Sequence, residues 1–149
     1  MRTYTHPKRN LRVDVPDELK IVFYHLHLVG KKNKKSLPVV TVALAVHSSG
    51  DVLGRGITVC SPEDFSCFCK REGRIRAAAR AVRAYNKATT GKAFHHPRAK
   101  AMLQEVFDTG MYQGFKWNHY RNHAIKHEYM PKLTLGEKAL LEEKGFHAA

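Results

Sequence analysis

The sequence predicts an α+β fold, in which a three-stranded antiparallel meander packs on a long basic helix and the C-terminal third is helical. Three β-rich runs, each bounded by a turn signal, follow one another between residues 19 and 60. At residue 61 the pattern changes to a helix start followed by helical spacing. A chain of 149 residues that is 43% hydrophobic has the size of one domain. We expect a core at residues 19–92, preceded by a basic arm at 1–18 and extended by a helical segment at 93–149.

The first strand is predicted for Leu19–Val29, LKIVFYHLHLV, because β-formers alternate there between two faces. One face is uniformly apolar and is expected to turn inward; it carries Val22, Tyr24, Leu26 and Leu28. The other face is expected to lie open; it carries Ile21, Phe23, His25 and His27. Phe23, His25 and His27 would then form an exposed platform on which a nucleic-acid base could stack.

Two further strands are predicted for VVTVALAV, residues 39–46, and VLGRGITVC, residues 52–60, joined by the turn HSSGD. Gly54 and Gly56 interrupt the later of these two strands. Glycine inside a strand is typical of a β-bulge or of a close approach by another backbone. We therefore expect three antiparallel strands in sequence order.

The long helix is predicted to run from Pro62 to Ala88. Ser61 is a good N-cap, Pro62 suits the first helical position, and Asp64 supplies the carboxylate of a capping box. The Thr-Thr-Gly that follows Ala88 ends the helical pattern.

Four cations of this helix fall on one side. At about 3.6 residues per turn, they lie within about 60° of arc; they are Arg76, Arg80, Arg83 and Lys87. No acidic residue follows Glu72 in the helix, so these side chains lack the i, i+4 carboxylates of a self-satisfied surface helix. The stripe is either an ordinary solvated face or a surface for phosphate, which guanidinium groups bind bidentately.

The net charge favours a polyanionic partner. The chain has 26 Lys and Arg against 13 Asp and Glu, a formal charge of +13. Residues 1–100 carry 20 of the basic and 7 of the acidic side chains, whereas residues 101–149 carry 6 of each. An excess confined to one part of the chain indicates a binding surface. The predicted phosphate-binding residues lie in the loop between the first two strands and on the helix: Lys31, Lys32, Lys34, Lys35, Lys70, Arg71, Arg74, Arg76, Arg80, Arg83 and Lys87.

The rest of the C-terminal third is predicted to be helical. HHPRAKAMLQEVFDTG suggests a short helix over 97–108, MYQGF a turn, and KWNHYRNHAIKHEYM a helix over 116–129. Thr134 and Glu137 form a capping box for a last helix, which either folds back over the sheet or contacts a partner.

Two parts of the chain resemble known families. The run GDVLGRGITVCSPEDFSCFCKREGRIRAAARAVRA, residues 50–84, resembles the strand, Cys-Ser-Pro-x-Asp, Gly-Arg and Ala/Arg-rich helix pattern of small uncharacterised phage and mobile-element proteins. This implies a phage or mobile-element origin and a bacterial host cell. Three strands followed by a helix that opens with Lys70, Arg71 and Arg74 are similar to the second half of a double-stranded-RNA-binding domain. That resemblance implies that the start of the helix meets phosphates across a groove.

The pair His25 and His27 has the local form of the histidine–hydrophobic–histidine motif of replication-initiator and transposase nucleases. This resemblance implies a divalent ion held by the two histidines and a tyrosine nucleophile on a helix, for which Tyr85 is the candidate. A metal-dependent nuclease is therefore one alternative function. The other interpretation is that the two histidines are polar positions on a sheet face.

Zinc is a second metal to consider. His119, His123 and His127 recur every four residues, so neighbours in the set can bind one ion from one helix face. Cys67, Cys69 or the pair His95 and His96 would have to complete such a site, and Cys-x-Cys is not the usual zinc-knuckle spacing. We therefore assign no metal, cofactor or catalytic residue.

The sequence thus favours an accessory or regulatory protein that binds RNA or DNA through its phosphates, largely independently of base sequence. The alternative is a modulator that binds a host protein, such as a defence or nucleic-acid enzyme, through its helical C-terminal third. No apolar run is long enough for a membrane span or a signal-peptide core, and three cysteines fit a reducing compartment. We therefore expect a cytoplasmic protein with no membrane partner, and the sequence indicates no particular oligomeric state.

Overall fold

The computed structural model describes residues 1–8, 10–30, 36–59, 70–88, 112–113, 129–133 and 135–146. These residues form six strands and two helices. In chain order they are β1 (Arg2–Thr5), β2 (Arg12–Val15), β3 (Leu19–Gly30), β4 (Ser36–His47), β5 (Val52–Val59), α1 (Lys70–Lys87), β6 (Tyr112–Gln113) and α2 (Leu135–Glu143).

The predicted meander is confirmed. β3, β4 and β5 pair antiparallel in sequence order, with Phe23 opposite Ala43 and Ala43 opposite Gly56. The very short β6 adds to the free edge of β3, where Gly30 pairs with Tyr112. The sequence predicts only a turn there, because a two-residue strand joins the sheet through its backbone and leaves no alternating pattern to recognise.

Helix α1 ends where the sequence predicts. Its last residue is Lys87, and Ala88 takes a positive φ of 48° while its N–H donates to the carbonyl of Ala84. A residue in this left-handed conformation terminates many helices. The predicted start at Pro62 lies outside the described residues, in which the helix begins at Lys70.

The two strand glycines let α1 lie directly on the sheet. A Cβ at Gly54 would stand 2.4 Å from the carbonyl oxygen of Ala81, and one at Gly56 would stand 2.1 Å from that of Ala77. The predicted close approach of another backbone is therefore confirmed, and that backbone is α1. A register shift between Ala45 and Val46 also places an irregularity in the β4–β5 pairing.

Residues 1–18, expected to be a basic arm, contain the antiparallel hairpin β1–β2. Val13 and Val15 of β2 are buried in the same apolar cluster as Ile75 and Val82 of α1. The alternation in RVDV is too short to distinguish a strand from an extended arm. Its valines become a buried face only because α1 offers an apolar flank beside them.

The sheet is covered on both faces. Val22, which the sequence places on the inward face of β3, is buried as predicted. The opposite face, expected to lie open, is the one that α1 covers: Ile21 and Phe23 pack against the cluster formed by α1 with Ala43 and Ala45. The open-face prediction is wrong because the alternation of β3 shows two distinct faces but not what covers each of them.

Helix α2 folds back over the sheet, which is one of the two alternatives that the sequence left open. Leu141 is buried, and the Glu137 carboxylate accepts a hydrogen bond of 2.8 Å from the Tyr24 hydroxyl of β3. The two helices predicted at 97–108 and 116–129 fall almost wholly outside the described residues. Neither α1 nor α2, the helices that the structure describes, has the length and apolar character needed to cross a membrane.

Candidate nucleic-acid interface

One flank of α1 remains exposed and carries most of its positive charge. The sheet covers the underside of the helix, and the hairpin β1–β2 covers the flank with Ile75 and Val82. On the remaining flank Arg76, Arg83 and Lys87 are exposed and Arg80 is half-buried. We call the set Arg76, Arg80, Arg83 and Lys87 the basic ridge.

Arg80 fixes the position of the ridge relative to the sheet. Its Nη1 donates a 2.6 Å hydrogen bond to the carbonyl oxygen of Ile57 in β5, a strand at the edge of the sheet. Burial lowers the pKa of the Arg80 guanidinium, and the nearby charges of Arg76 and Arg83 lower it further. Three positive charges are therefore held close enough to repel one another, and an anion between them would relieve this repulsion.

Arg76 has an intrahelical carboxylate partner. Its Nε and Nη2 both lie 3.1 Å from Oε1 of Glu72, one turn earlier in α1. The sequence interpretation, which looked for acids only after Glu72, missed this pair. The pair is partly exposed, at 43% for the Arg76 side chain and 19% for that of Glu72, and i, i+4 ion pairs of this kind contribute little to stability.

Two cations at the start of α1 make intramolecular contacts. Arg71 donates from Nε to the carbonyl oxygen of Thr5 at 2.8 Å, and the Arg74 guanidinium lies 5.6 Å from the centre of the Phe23 ring. Both side chains thus join α1 to neighbouring elements, Arg71 to β1 and Arg74 to β3. Lys70 lies in the first turn of α1.

The predicted lysine loop between β3 and β4, with Lys31, Lys32, Lys34 and Lys35, lies outside the described residues. The strand ends that flank it, Gly30 and Ser36, are described.

The predicted stacking platform is not an open surface at Phe23. The Phe23 ring is half-buried, with the Tyr4 ring edge-on at 6.2 Å and 87° and the Arg74 guanidinium near its face. His25 is half-buried and pairs with Thr41 of β4. The structure describes the backbone of His27 but not its side chain. An aromatic ring enclosed in this way contributes to the core and not to base stacking.

The nuclease residues do not meet. Gly73 lies against Thr41, the β4 partner of His25, whereas the Tyr85 ring lies 6.4 Å from that of His47 at the far end of β4. The 12 residues from Gly73 to Tyr85 correspond to roughly 18 Å of helix.

Partial burial raises the pKa of the Tyr85 hydroxyl, and its 3.2 Å hydrogen bond to Glu18 raises it further. A nucleophilic tyrosine needs the opposite shift.

No group of three or more potential metal ligands occurs within the described residues. The zinc candidates named from the sequence, namely Cys67, Cys69, His95, His96, His119, His123 and His127, fall outside them.

A buried polar cluster is the main feature that the sequence did not indicate. Arg55 of β5 donates from Nε to Glu137 Oε2 at 3.0 Å and from Nη2 to the carbonyl oxygen of Lys132 at 2.9 Å. A second contact joins Arg55 Nη2 to Glu137 Oε1. Arg55 is 0% and Glu137 1% exposed. The available signal was a single charged residue, Arg55, inside strand β5, and its role is to attach the C-terminal segment to the sheet.

Comparison of the chain with protein-family models, with curated protein sequences and with solved structures finds no match. The proposals below therefore rest on the geometry and charge of the chain itself.

Proposed function

We propose that the protein binds nucleic acid through phosphate contacts made by the basic ridge, largely independently of base sequence. The observation that carries this proposal is the composition of the exposed flank of α1. It presents three arginines and a lysine, of which Arg76 is paired with Glu72. Guanidinium groups bind phosphate oxygens bidentately, and neutralising phosphates releases the counterions that surround a nucleic acid.

The length of the ridge suits a polymer of phosphates. Arg76 and Lys87 are 11 residues apart, which is about 16 Å along a helix axis. Phosphates on one strand of B-form DNA follow one another every ~3.4 Å of axis, so the ridge can reach several of them. The side chains of the ridge are all cations, and the phosphate contacts that such side chains make carry no base-sequence information.

The residues proposed for binding are fewer than the sequence predicts. The basic ridge supplies the primary contacts. Arg71 and Arg74 make intramolecular contacts with Thr5 and Phe23 and are assigned a structural role. Lys70 and the lysine loop remain additional candidates on the strength of the sequence alone.

Titrations of short fluorescent single- and double-stranded RNA and DNA at several salt concentrations test the proposal. The ridge variant carries Arg76→Gln, Arg80→Gln and Arg83→Gln. Its control carries Lys132→Gln, Lys138→Gln and Lys144→Gln, which removes the same charge from exposed positions far along the chain. For a duplex, each phosphate contact adds roughly −0.9 to the slope of log affinity against log salt.

We expect the wild type and the control to share a steep slope, and the ridge variant to bind more weakly with a shallower slope. Equal weakening in the two triple variants would mean that net charge, and not the ridge, is recognised. Absence of binding by the wild type at near-physiological salt would refute the proposal. In that case an acidic protein surface becomes the partner to seek, as in the host-protein alternative, by affinity capture from host lysate.

A role as an accessory or regulatory protein of a phage-like element is part of the proposal. It is supported only by the resemblance of residues 50–84 to small phage proteins, and the binding experiment does not depend on it.

A further inference from the structure

We infer that Arg80 is the residue that determines the affinity of the basic ridge for phosphate, because the fold holds its guanidinium in place before a ligand arrives. This inference rests on the proposed function, since it concerns the same surface. It assigns unequal roles to four cations that look equivalent in the sequence.

The first support is the fixed position of Arg80. Its Nη1 is hydrogen-bonded to Ile57 of β5, and the backbone on either side of it is pressed against the sheet at Gly56, where a Cβ would stand 2.4 Å from the nitrogen of Ala81. Arg83 differs, because it is exposed and makes no hydrogen bond or ion pair with any residue that the structure describes.

The second support is the cost of ordering a side chain. A long side chain that becomes immobile on binding loses conformational entropy, and this loss subtracts from affinity. Arg80 has already lost that freedom on folding. A phosphate that meets Arg80 therefore gains the attraction without this cost, whereas one that meets Arg83 must first order its side chain.

The third support is the electrostatic setting. Arg80 lies between Arg76 and Arg83, whose charges disfavour its own. Partial burial also removes water that would otherwise screen its charge, so an anion placed here interacts more strongly than at the exposed positions. Both effects make the centre of the ridge its strongest point of attraction.

The test compares two substitutions that keep the charge. Arg80→Lys retains a cation but loses the planar group that reaches Ile57, and Arg83→Lys is its matched control on the same flank. Both are titrated with the RNA or DNA that the wild type binds best. We expect Arg80→Lys to weaken binding by about 2- to 10-fold with an unchanged salt slope, and Arg83→Lys, at a ridge position that the fold does not hold in advance, to weaken it by a smaller factor.

Equal losses in the two lysine variants would overturn the inference while leaving the proposed function intact, and absence of wild-type binding would remove both. A second measurement avoids any effect of substitution on folding. The side-chain Nε–H signal of Arg80 in ¹⁵N NMR spectra of the wild type should shift during titration with the same nucleic acid. If it stays in place while the signals of Arg76 and Arg83 shift, Arg80 does not contact the ligand and the inference is wrong.

Discussion

Arg55 and Glu137 form a buried ion pair between the edge strand β5 and helix α2. The Tyr24 hydroxyl donates a further hydrogen bond to Glu137, and the Lys132 carbonyl accepts one from Arg55. Removing two charges from water is costly, and only close pairing with further hydrogen bonds compensates that cost. The value of this pair therefore lies in the position it enforces on the C-terminal segment.

The substitution Glu137→Gln should lower the free energy of unfolding by about 3–5 kcal/mol, because it leaves the Arg55 charge buried without its counter-charge. Urea unfolding followed by far-UV circular dichroism measures the change. Glu142→Gln, at an exposed position of the same helix, should change stability by less than about 0.5 kcal/mol. Tyr24→Phe is a milder change and should lower the free energy of unfolding by about 1 kcal/mol. If Glu137→Gln is as stable as its control, the pair does not hold α2 on the sheet.

At the scale of the element, α1 has two sides of very different composition. Its sheet side is made of small residues, with Ala77 and Ala81 fully buried over the two strand glycines. Its exposed flank is the basic ridge. The small side supplies close packing, which holds the backbone of α1 against β5.

The substitution Gly56→Ala tests that close packing. The added methyl group would stand 2.1 Å from the Ala77 carbonyl oxygen, so α1 has to move away from the sheet. We expect a loss of at least about 1–3 kcal/mol in the free energy of unfolding, as for overpacked cores, measured by urea denaturation.

Gly73→Ala provides the comparison for Gly56→Ala. Its new methyl group would meet only the Thr41 side chain, at 3.0 Å, and alanine favours the helix by about 1 kcal/mol. This variant should lose much less stability. A Gly56→Ala variant no less stable than Gly73→Ala would contradict the direct contact between α1 and β5.

At the scale of the whole molecule, α1 is an inner layer that keeps Arg76, Arg83 and Lys87 exposed on its ridge flank. The hairpin β1–β2 lies on one side of it and the sheet lies below, while α2 covers the opposite face of the sheet. The apolar residues of α1 therefore pack in two directions, against the sheet and against the hairpin. The ridge lies on a flank that faces solvent, and the buried valines Val13 and Val15 make the hairpin part of the core.

The substitution Val15→Ala should lower the free energy of unfolding by about 2 kcal/mol, because the Val15 side chain is 1% exposed within the core. Thermal and urea unfolding measure this loss. Lys8→Ala, at an exposed hairpin position, serves as the control and should be nearly neutral. If Val15→Ala is also neutral, residues 1–18 behave as the loosely attached arm that the sequence suggested.

Much of the fold could be predicted because its signals are local. The alternation of β3, the turns of the meander and the end of α1 at Lys87 all follow from the properties of neighbouring residues. Gly54 and Gly56 predicted a backbone approach, although not which backbone. The spacing of Arg76, Arg80, Arg83 and Lys87 likewise placed these cations on one side of a helix before any contact was known.

The sequence by itself therefore determined the α+β class, the meander, the basic helix and the arrangement of its charges. Only the tertiary structure decided which face of β3 lies under α1, and which cations are held by the fold. It also brought together Arg55 and Glu137, which are 82 residues apart in the chain. The physical reason is that periodicity and propensity act between neighbours, whereas burial and ion pairing depend on the path that brings distant segments into contact.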